Sequence, residues 1–205
     1  YRRAIQLRNA IDDPMGVAAG LCNLGVAWLG QNKKERAITA WQEALELATM
    51  IGNLDLQTSL GSNLAEVFLD MERYDEAGEY LDKAITWGSD GGSPRPMTDV
   101  YLNRTRLMIY REDWKGAVKE LERAQEISQQ LDLPRVDGQV SRMTGHLFLT
   151  KYEAADKGQA KHLKHAITQF RDAITHFVAG GCYLEAASSH ERLADALELS
   201  GKSGD

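Results

Sequence analysis

An internal repeat of forty residues constrains the fold of this chain more than any other feature of its sequence. Two alanines with a large apolar residue between them recur three times: Ala37, Trp41, Ala44; Ala77, Leu81, Ala84; Ala117, Leu121, Ala124. The spacing i, i+4, i+7 places each set on one helical face, where the alanines allow close approach and the large residue fills the space. The sequence therefore predicts an all-α solenoid of stacked helices rather than a single central core.

Each repeat contains a second helical segment before the alanine-rich one. Apolar residues follow a helical period over residues 17–29, 56–71 and 100–110, and short polar turns follow at 30–33, 71–73 and 111–113. All four prolines, Pro14, Pro94, Pro96 and Pro134, fall between repeats, where a helix must stop. The unit is therefore a helix, a tight turn and a second, antiparallel helix.

The repeat register divides the chain, which we interpret as one domain over residues 1–205. Tyr1 and Ala4 lie one period before Trp41 and Ala44, so residues 1–13 are expected to be the second helix of a truncated repeat, and the chain a fragment of a longer polypeptide. Ala166 follows Ala117 by 49 residues, which indicates about nine inserted residues near 153–161. The expected units are 14–53, 54–93, 94–133, 134–182 with the insertion, and a terminal half-repeat at 183–205.

These residues resemble the tetratricopeptide repeat. The first repeat carries its pattern of large, small and aromatic positions as Leu21, Leu24, Gly25, Trp28, Ala37, Trp41, Ala44. The second repeat matches well, and the third is weaker in its first helix. A period of forty exceeds the usual 34 and is similar to kinesin light chains, Pins-type spindle adaptors and many bacterial regulators. The resemblance implies a right-handed superhelix whose first helices line a concave groove that binds peptides or partner proteins.

An asparagine column lies in the first helices of three repeats. Asn23, Asn63 and Asn103 are half of the six asparagines in the chain, although asparagine is a mediocre helix former. A side-chain amide offers a donor and an acceptor to an extended peptide backbone, and similar repeats use an asparagine at this position for that purpose. Duplication or a bond to a neighbouring helix would explain the column equally. Met143 replaces the asparagine in the fourth repeat.

Cationic residues lie on the expected groove face of the third and fourth repeats. Arg106, Arg142 and His146 share this face, and Arg192 follows in the last helix. In a chain with a net charge of −6, such a section suits a carboxylate or an acidic peptide segment. The alternative is that Arg106 and Arg142 pair with acidic residues of the chain, for which Asp99, Glu66 and Asp137 are the candidates.

Composition and missing motifs argue against other classes of protein. The acidic net charge disfavours direct nucleic-acid binding, and no apolar stretch approaches the 18 residues of a membrane span. Two cysteines indicate a reducing compartment, for which we expect the cytoplasm. No phosphate-binding loop, nucleophile elbow or zinc-protease motif occurs. His162 and His165 lack a third ligand in register, and Cys22 lacks a histidine.

We therefore expect a non-catalytic protein-interaction module without catalytic residues, metal or cofactor. Its partner would be an extended peptide or protein segment, acidic where it meets the arginines. An intramolecular regulatory or dimerisation segment of a larger signalling or transcription protein is the alternative. Half-repeats at both ends lack polar caps, and they are expected to allow dimerisation.

Overall fold

A computed structural model describes residues 10–155 and 160–202, together with Arg3, Gln6 and Arg8. These three residues and Ala10 are helical, and nine further helices without any strand account for most of the described residues. The helices are α1 Pro14–Leu29, α2 Lys34–Met50, α3 Leu54–Asp70, α4 Tyr74–Ser89, α5 Pro94–Tyr110, α6 Trp114–Leu131, α7 Pro134–Ala154, α8 Ala160–Ala179 and α9 Tyr183–Lys202. The predicted all-α class is confirmed.

The chain divides into two compact units, Tyr1–Asn103 and Arg104–Asp205. In the first unit α1 packs on α2, α2 on α3 and α3 on α4. In the second unit α6 packs on α7, α7 on α8 and α8 on α9. Helices that pack on their sequence neighbours are typical of a helical repeat array, in which each repeat is stabilised by the next.

Left-handed turn residues end the helices at regular intervals. Asn32, Glu72 and Glu112 have φ of 57°, 59° and 56° within the helix pairs, and they are forty residues apart. In each case the next residue donates its backbone N–H to a carbonyl five residues earlier, over 2.9 Å: Lys33 to Trp28, Arg73 to Phe68, Asp113 to Met108. This bond satisfies a carbonyl that the helix end would otherwise leave unpaired. The backbone therefore repeats the period seen in the sequence.

The alanine columns lie between the paired helices. Ala37, Ala77 and Ala117 are fully buried, and Trp41 at the large position is only 2% exposed. A glycine on the first helix faces the large residue of the second: Gly25 lies against the Trp41 indole, and Gly145 against the Phe170 ring. The indole Nε1 of Trp41 also donates a hydrogen bond of 3.0 Å to the Cys22 carbonyl. Small residues on one helix thus make room for the ring on the next.

Replacing Gly25 by alanine is expected to destabilise the first unit by about 1–3 kcal/mol, because the side chain overpacks this contact. A Cβ at Gly25 would lie 2.2 Å from Trp41 Nε1, so the indole must move and lose its bond to Cys22. Urea unfolding checks this result. Gly30→Ala is the matched control, since its nearest neighbour is 3.6 Å away, and we expect a change within about 0.5 kcal/mol. Equal effects of the two substitutions would contradict the close packing of Gly25 on Trp41.

The odd-numbered helices begin at the first residues of the predicted repeats, Pro14, Leu54, Pro94, Pro134 and Tyr183. Tyr1 and Ala4, on which the truncated first repeat depends, lie outside the described residues, as do residues 156–159 of the expected insertion. α7 and α8 contain 21 and 20 residues, whereas α5 and α6 contain 17 and 18. Both helices of the fourth pair are therefore longer than those of the third, and the insertion stays a prediction.

Candidate functional site

Three helices each contribute two polar side chains to one cavity. Arg106 and Tyr110 lie one turn apart on α5, Arg142 and His146 on α7, and Ser188 and Arg192 on α9. The spacing i, i+4 places each pair on one helical face. Met143 and the fully buried Phe170 add apolar surface. We call this space of about 250 Å³ the cationic cavity; its lining is Arg106, Tyr110, Arg142, Met143, His146, Phe170, Ser188 and Arg192.

Contacts within the second unit orient the three guanidinium groups. Arg106 donates from Nε and Nη2 to the Tyr110 hydroxyl, over 3.2 and 3.1 Å. The Arg142 guanidinium lies 5.5 Å from the centre of the Phe177 ring, at cation–π distance. Arg192 Nη1 is 3.7 Å from Asp195 on the exposed side of α9. None of the eight lining residues is a carboxylate, so positive charge dominates the lining.

His146 is a half-buried titratable group of the cationic cavity. Burial, followed by the positive charges of Arg192, Arg106 and Arg142, lowers the pKa of its imidazole from 6.5 to about 4. The ring is therefore neutral at pH 7, with one N–H donor and one acceptor nitrogen. A neutral ring beside three arginines can donate to an anion or accept a hydrogen bond from a protonated ligand oxygen.

Stability of the protein is expected to fall as the pH decreases from about 6.5 to about 4. Over this range the unfolded chain binds a proton at His146 and the folded chain does not, so acid favours unfolding. The full effect is roughly 3 kcal/mol. Measuring the free energy of unfolding against pH for wild type and His146→Gln checks it, because the difference between the curves should follow this window. His190→Gln, at an exposed position of α9, is the control. A constant difference would contradict a neutral, half-buried His146.

A second cavity of about 270 Å³ adjoins the first and shares His146 and Arg192 with it. Its other polar residues are Glu153, Asp195 and Glu198. His146 and Arg192 thus separate a positively charged space from a negatively charged one. An anionic ligand is therefore favoured on the α5 side of His146 and repelled on the other.

The predicted asparagine column lies in the first unit and differs from residue to residue. Asn23 is exposed and Asn63 is half-buried. Asn103 donates from Nδ2 to the carbonyl and the hydroxyl of Ser62 on α3, over 3.2 and 3.0 Å. Asn103 therefore makes the hydrogen bond to a neighbouring helix that was the alternative to partner binding. Its donor group connects α5 to α3.

The other chemically reactive candidates are embedded in packing contacts. Burial raises the pKa of the Cys22 thiol, which disfavours the nucleophilic thiolate. His162 and His165 pack against the Phe148 ring, with centroid distances of 5.6 and 4.2 Å. No group of three metal-ligating side chains occurs in the part of the chain that the structure describes. Nor does any helix of that part combine the length and apolar character needed to cross a membrane.

The first unit contains a larger cavity of about 710 Å³ between α2 and α4. Its charged residues have opposite signs, Glu46 from α2 and Lys83 from α4, and Tyr80 and Trp87 supply ring surface. None of the predicted site residues lines it. Neither sign of charge dominates its lining.

Arg106, Arg142 and His146, which share a column in the sequence, line one cavity together with Arg192. The sequence analysis did not single out Tyr110, Ser188 or Phe170 as site residues. Tyr110 and Ser188 lie one helical turn from Arg106 and Arg192, so the i, i+4 spacing was the signal that could have identified them. Phe170 is fully buried on α8, and its position behind the cavity depends on how α8 packs against α7.

Comparisons with known proteins agree with the repeat fold. A family model described as a tetratricopeptide repeat matches residues 62–87. The crystal structure of BtubC (BKLC) from P. vanneervenii superposes with a TM-score of 0.66 at 19% identity, over 98% of this chain and 89% of that one. A signal transduction ATPase with numerous domains and a tetratricopeptide repeat sensor, from Pyrococcus horikoshii, gives 0.68 at 19% identity. That match covers 98% of this chain and 30% of the ATPase.

The curated relatives match only part of this chain and are much longer than it. The serine/threonine-protein kinase PknK of Mycobacterium tuberculosis is 26% identical over 129 residues, and PknK of Mycobacterium bovis matches equally. The match covers 62% of this chain and 12% of the kinase. The chain thus spans about an eighth of the length of these relatives.

Proposed function

Since the chain is a tetratricopeptide-repeat protein, and such repeats act as protein-interaction scaffolds, we propose that it binds an acidic segment of a partner protein in the cationic cavity. The observation that carries this proposal is the convergence of Arg106, Arg142 and Arg192 on one cavity without a lining carboxylate. Guanidinium forks pair with carboxylates through two parallel hydrogen bonds, which gives direction as well as affinity. The cytoplasm is the location we propose, because Cys22 and Cys182 are both free thiols.

The neighbouring charges support a defined orientation of the partner segment. An acidic side chain in the cationic cavity meets arginines, whereas the same side chain beyond His146 meets Glu153 and Glu198. Like-charge contacts cost affinity and exclude wrong registers. Met143 can contact the aliphatic part of the bound side chain.

Asn23 and Asn63 are proposed as further contacts to the backbone of a partner. Their exposed and half-buried amides are compatible with this role. Asn103 is a weaker candidate, because its donor group is bonded to Ser62. The double substitution Asn23→Ala/Asn63→Ala is expected to lower the affinity for the partner segment only modestly, since each net hydrogen bond contributes about 0.5–1.5 kcal/mol.

Selection from a random peptide library on the immobilised chain tests the proposal. Wild type should enrich peptides that contain aspartate or glutamate. The enrichment should disappear with Arg106→Gln/Arg142→Gln and persist with Arg171→Gln, which removes an exposed arginine of α8 outside the cavity. Enrichment without acidic residues, or acidic enrichment that survives the double substitution, would refute binding in the cationic cavity.

A second candidate function is that of a regulatory segment within a larger signalling protein. The similarity to parts of a protein kinase and of an ATPase with a repeat sensor favours it. Exposed apolar residues on α9, Tyr183 and Leu184, would support dimerisation in the same role. Sequencing the surrounding gene tests this function. A reading frame that continues into a kinase or ATPase domain supports it, and a frame that encodes the repeats alone contradicts it.

A further inference from the structure

The donors of the cationic cavity come from three separate helices. Arg106 on α5, Arg142 on α7 and Arg192 on α9 each line the cavity, and Nε and Nη2 of Arg106 donate to the Tyr110 hydroxyl. The hydroxyls of Tyr110 and Ser188 and the ring of His146 are further polar groups of the same lining. The polar lining of the cavity therefore comes from three helices.

A carboxylate group has too few oxygen atoms to pair with all three guanidinium groups. Its two oxygens lie in one plane, and a single guanidinium fork can satisfy both. A phosphoryl group has three terminal oxygens in a tetrahedral arrangement and a charge of about −1.5 to −2 at pH 7. Three guanidinium groups on three helices match three oxygens better than they match two.

We propose that the cationic cavity binds the phosphoryl group of a phosphoserine or phosphothreonine side chain on the partner segment. This inference rests on the proposed function, in which the same cavity binds an acidic segment, and it specifies the acidic group. Arginine clusters are a recurring means of recognising phosphorylated segments.

The size and the apolar part of the cavity agree with a phosphorylated side chain. The space of about 250 Å³ exceeds that of a few water molecules, each of which takes about 30 Å³. Met143 provides a contact for the Cβ or the methyl group of such a residue. The neutral His146 can accept a hydrogen bond from the singly protonated phosphate, whose second pKa is near 6.

Calorimetric titration of the full chain with five probes tests the inference. Three are acetyl-Gly-Gly-X-Gly-Gly-amide peptides in which X is phosphoserine, glutamate or serine, and the others are inorganic phosphate and acetate. We expect the phosphoserine peptide to bind about tenfold more tightly than the glutamate peptide, which corresponds to one additional charge-assisted hydrogen bond. The serine peptide should not bind, and inorganic phosphate should bind more weakly than the phosphopeptide.

Two substitutions test whether the preference for the phosphoserine peptide arises in the cationic cavity. Arg142→Gln should remove most of the preference for phosphoserine over glutamate, and Arg171→Gln should preserve it. Circular dichroism verifies that both variants are folded. Loss of the preference in both variants would overturn the assignment to this cavity.

The remaining outcomes separate the two proposals. Equal affinity for the phosphoserine and glutamate peptides would overturn the phosphoryl assignment and leave the proposed function intact. If inorganic phosphate binds as tightly as the phosphopeptide, the assignment to a phosphorylated side chain is wrong, and the cavity is a site for a free anion. Absence of binding by every anionic probe would overturn both.

Discussion

Replacing Arg106 and Arg142 together by glutamine is expected to weaken binding of an acidic peptide from the library by about 100-fold. Each charge-assisted hydrogen bond contributes about 1.5–3 kcal/mol, and 100-fold corresponds to about 2.7 kcal/mol. Both arginines line the cationic cavity, on different helices, so the pair removes donors from two of its three sides. Calorimetric titration of wild type and variant with the same peptide measures the change.

Two controls separate donor geometry from charge and from folding. Arg106→Lys/Arg142→Lys retains the charges but removes the planar forks, so we expect an intermediate loss of affinity. Arg171→Gln removes one exposed charge outside the cavity and should leave the affinity within about twofold, since screened surface charges contribute little. An unchanged affinity of the glutamine double variant would contradict the assignment of the cavity.

Replacing Phe170 by alanine is expected to lower the free energy of unfolding of the second unit by about 3–5 kcal/mol, because it leaves a cavity in the core. The ring is fully buried among Leu149, Leu163, Ala166 and Ala196, and it lies against Gly145. Urea unfolding followed by circular dichroism measures the loss. Val178→Ala on the same helix is the control, since Val178 is 49% exposed and should change stability by less than about 0.5 kcal/mol. A loss below about 1 kcal/mol for Phe170→Ala would show that α7 and α8 do not depend on this ring.

Much of the helix pairing could be predicted from the sequence because the contacts are local and repeated. Ala37, Ala77 and Ala117 are fully buried, as their column indicated, since the same close approach of two helices recurs every forty residues. The positive φ of Asn32, Glu72 and Glu112 follows the same period. Repetition supplies independent observations of one structural unit, so a single sequence is sufficient to identify it.

The candidate site could be predicted only in part, for two physical reasons. The period placed Arg106, Arg142 and His146 on one face, but not the bonds from Arg106 to Tyr110 or the contribution of Phe170, which depend on side-chain packing. The period also cannot distinguish an amide that binds a partner from one that binds the next helix. Asn103 and Asn23 share a register, yet Asn103 donates to Ser62 and Asn23 is exposed.

The most direct test of the central claim is an NMR titration that follows the side-chain Nε–Hε signals of the arginines as an acidic library peptide is added. Hydrogen bonding to an anion in the cationic cavity should shift the signals of Arg106, Arg142 and Arg192 and leave Arg171 unchanged. The indole N–H of Trp87 reports on the larger cavity of the first unit and should also remain unchanged. A shift of Trp87 while the three arginines stay constant would contradict the account and assign binding to the other cavity.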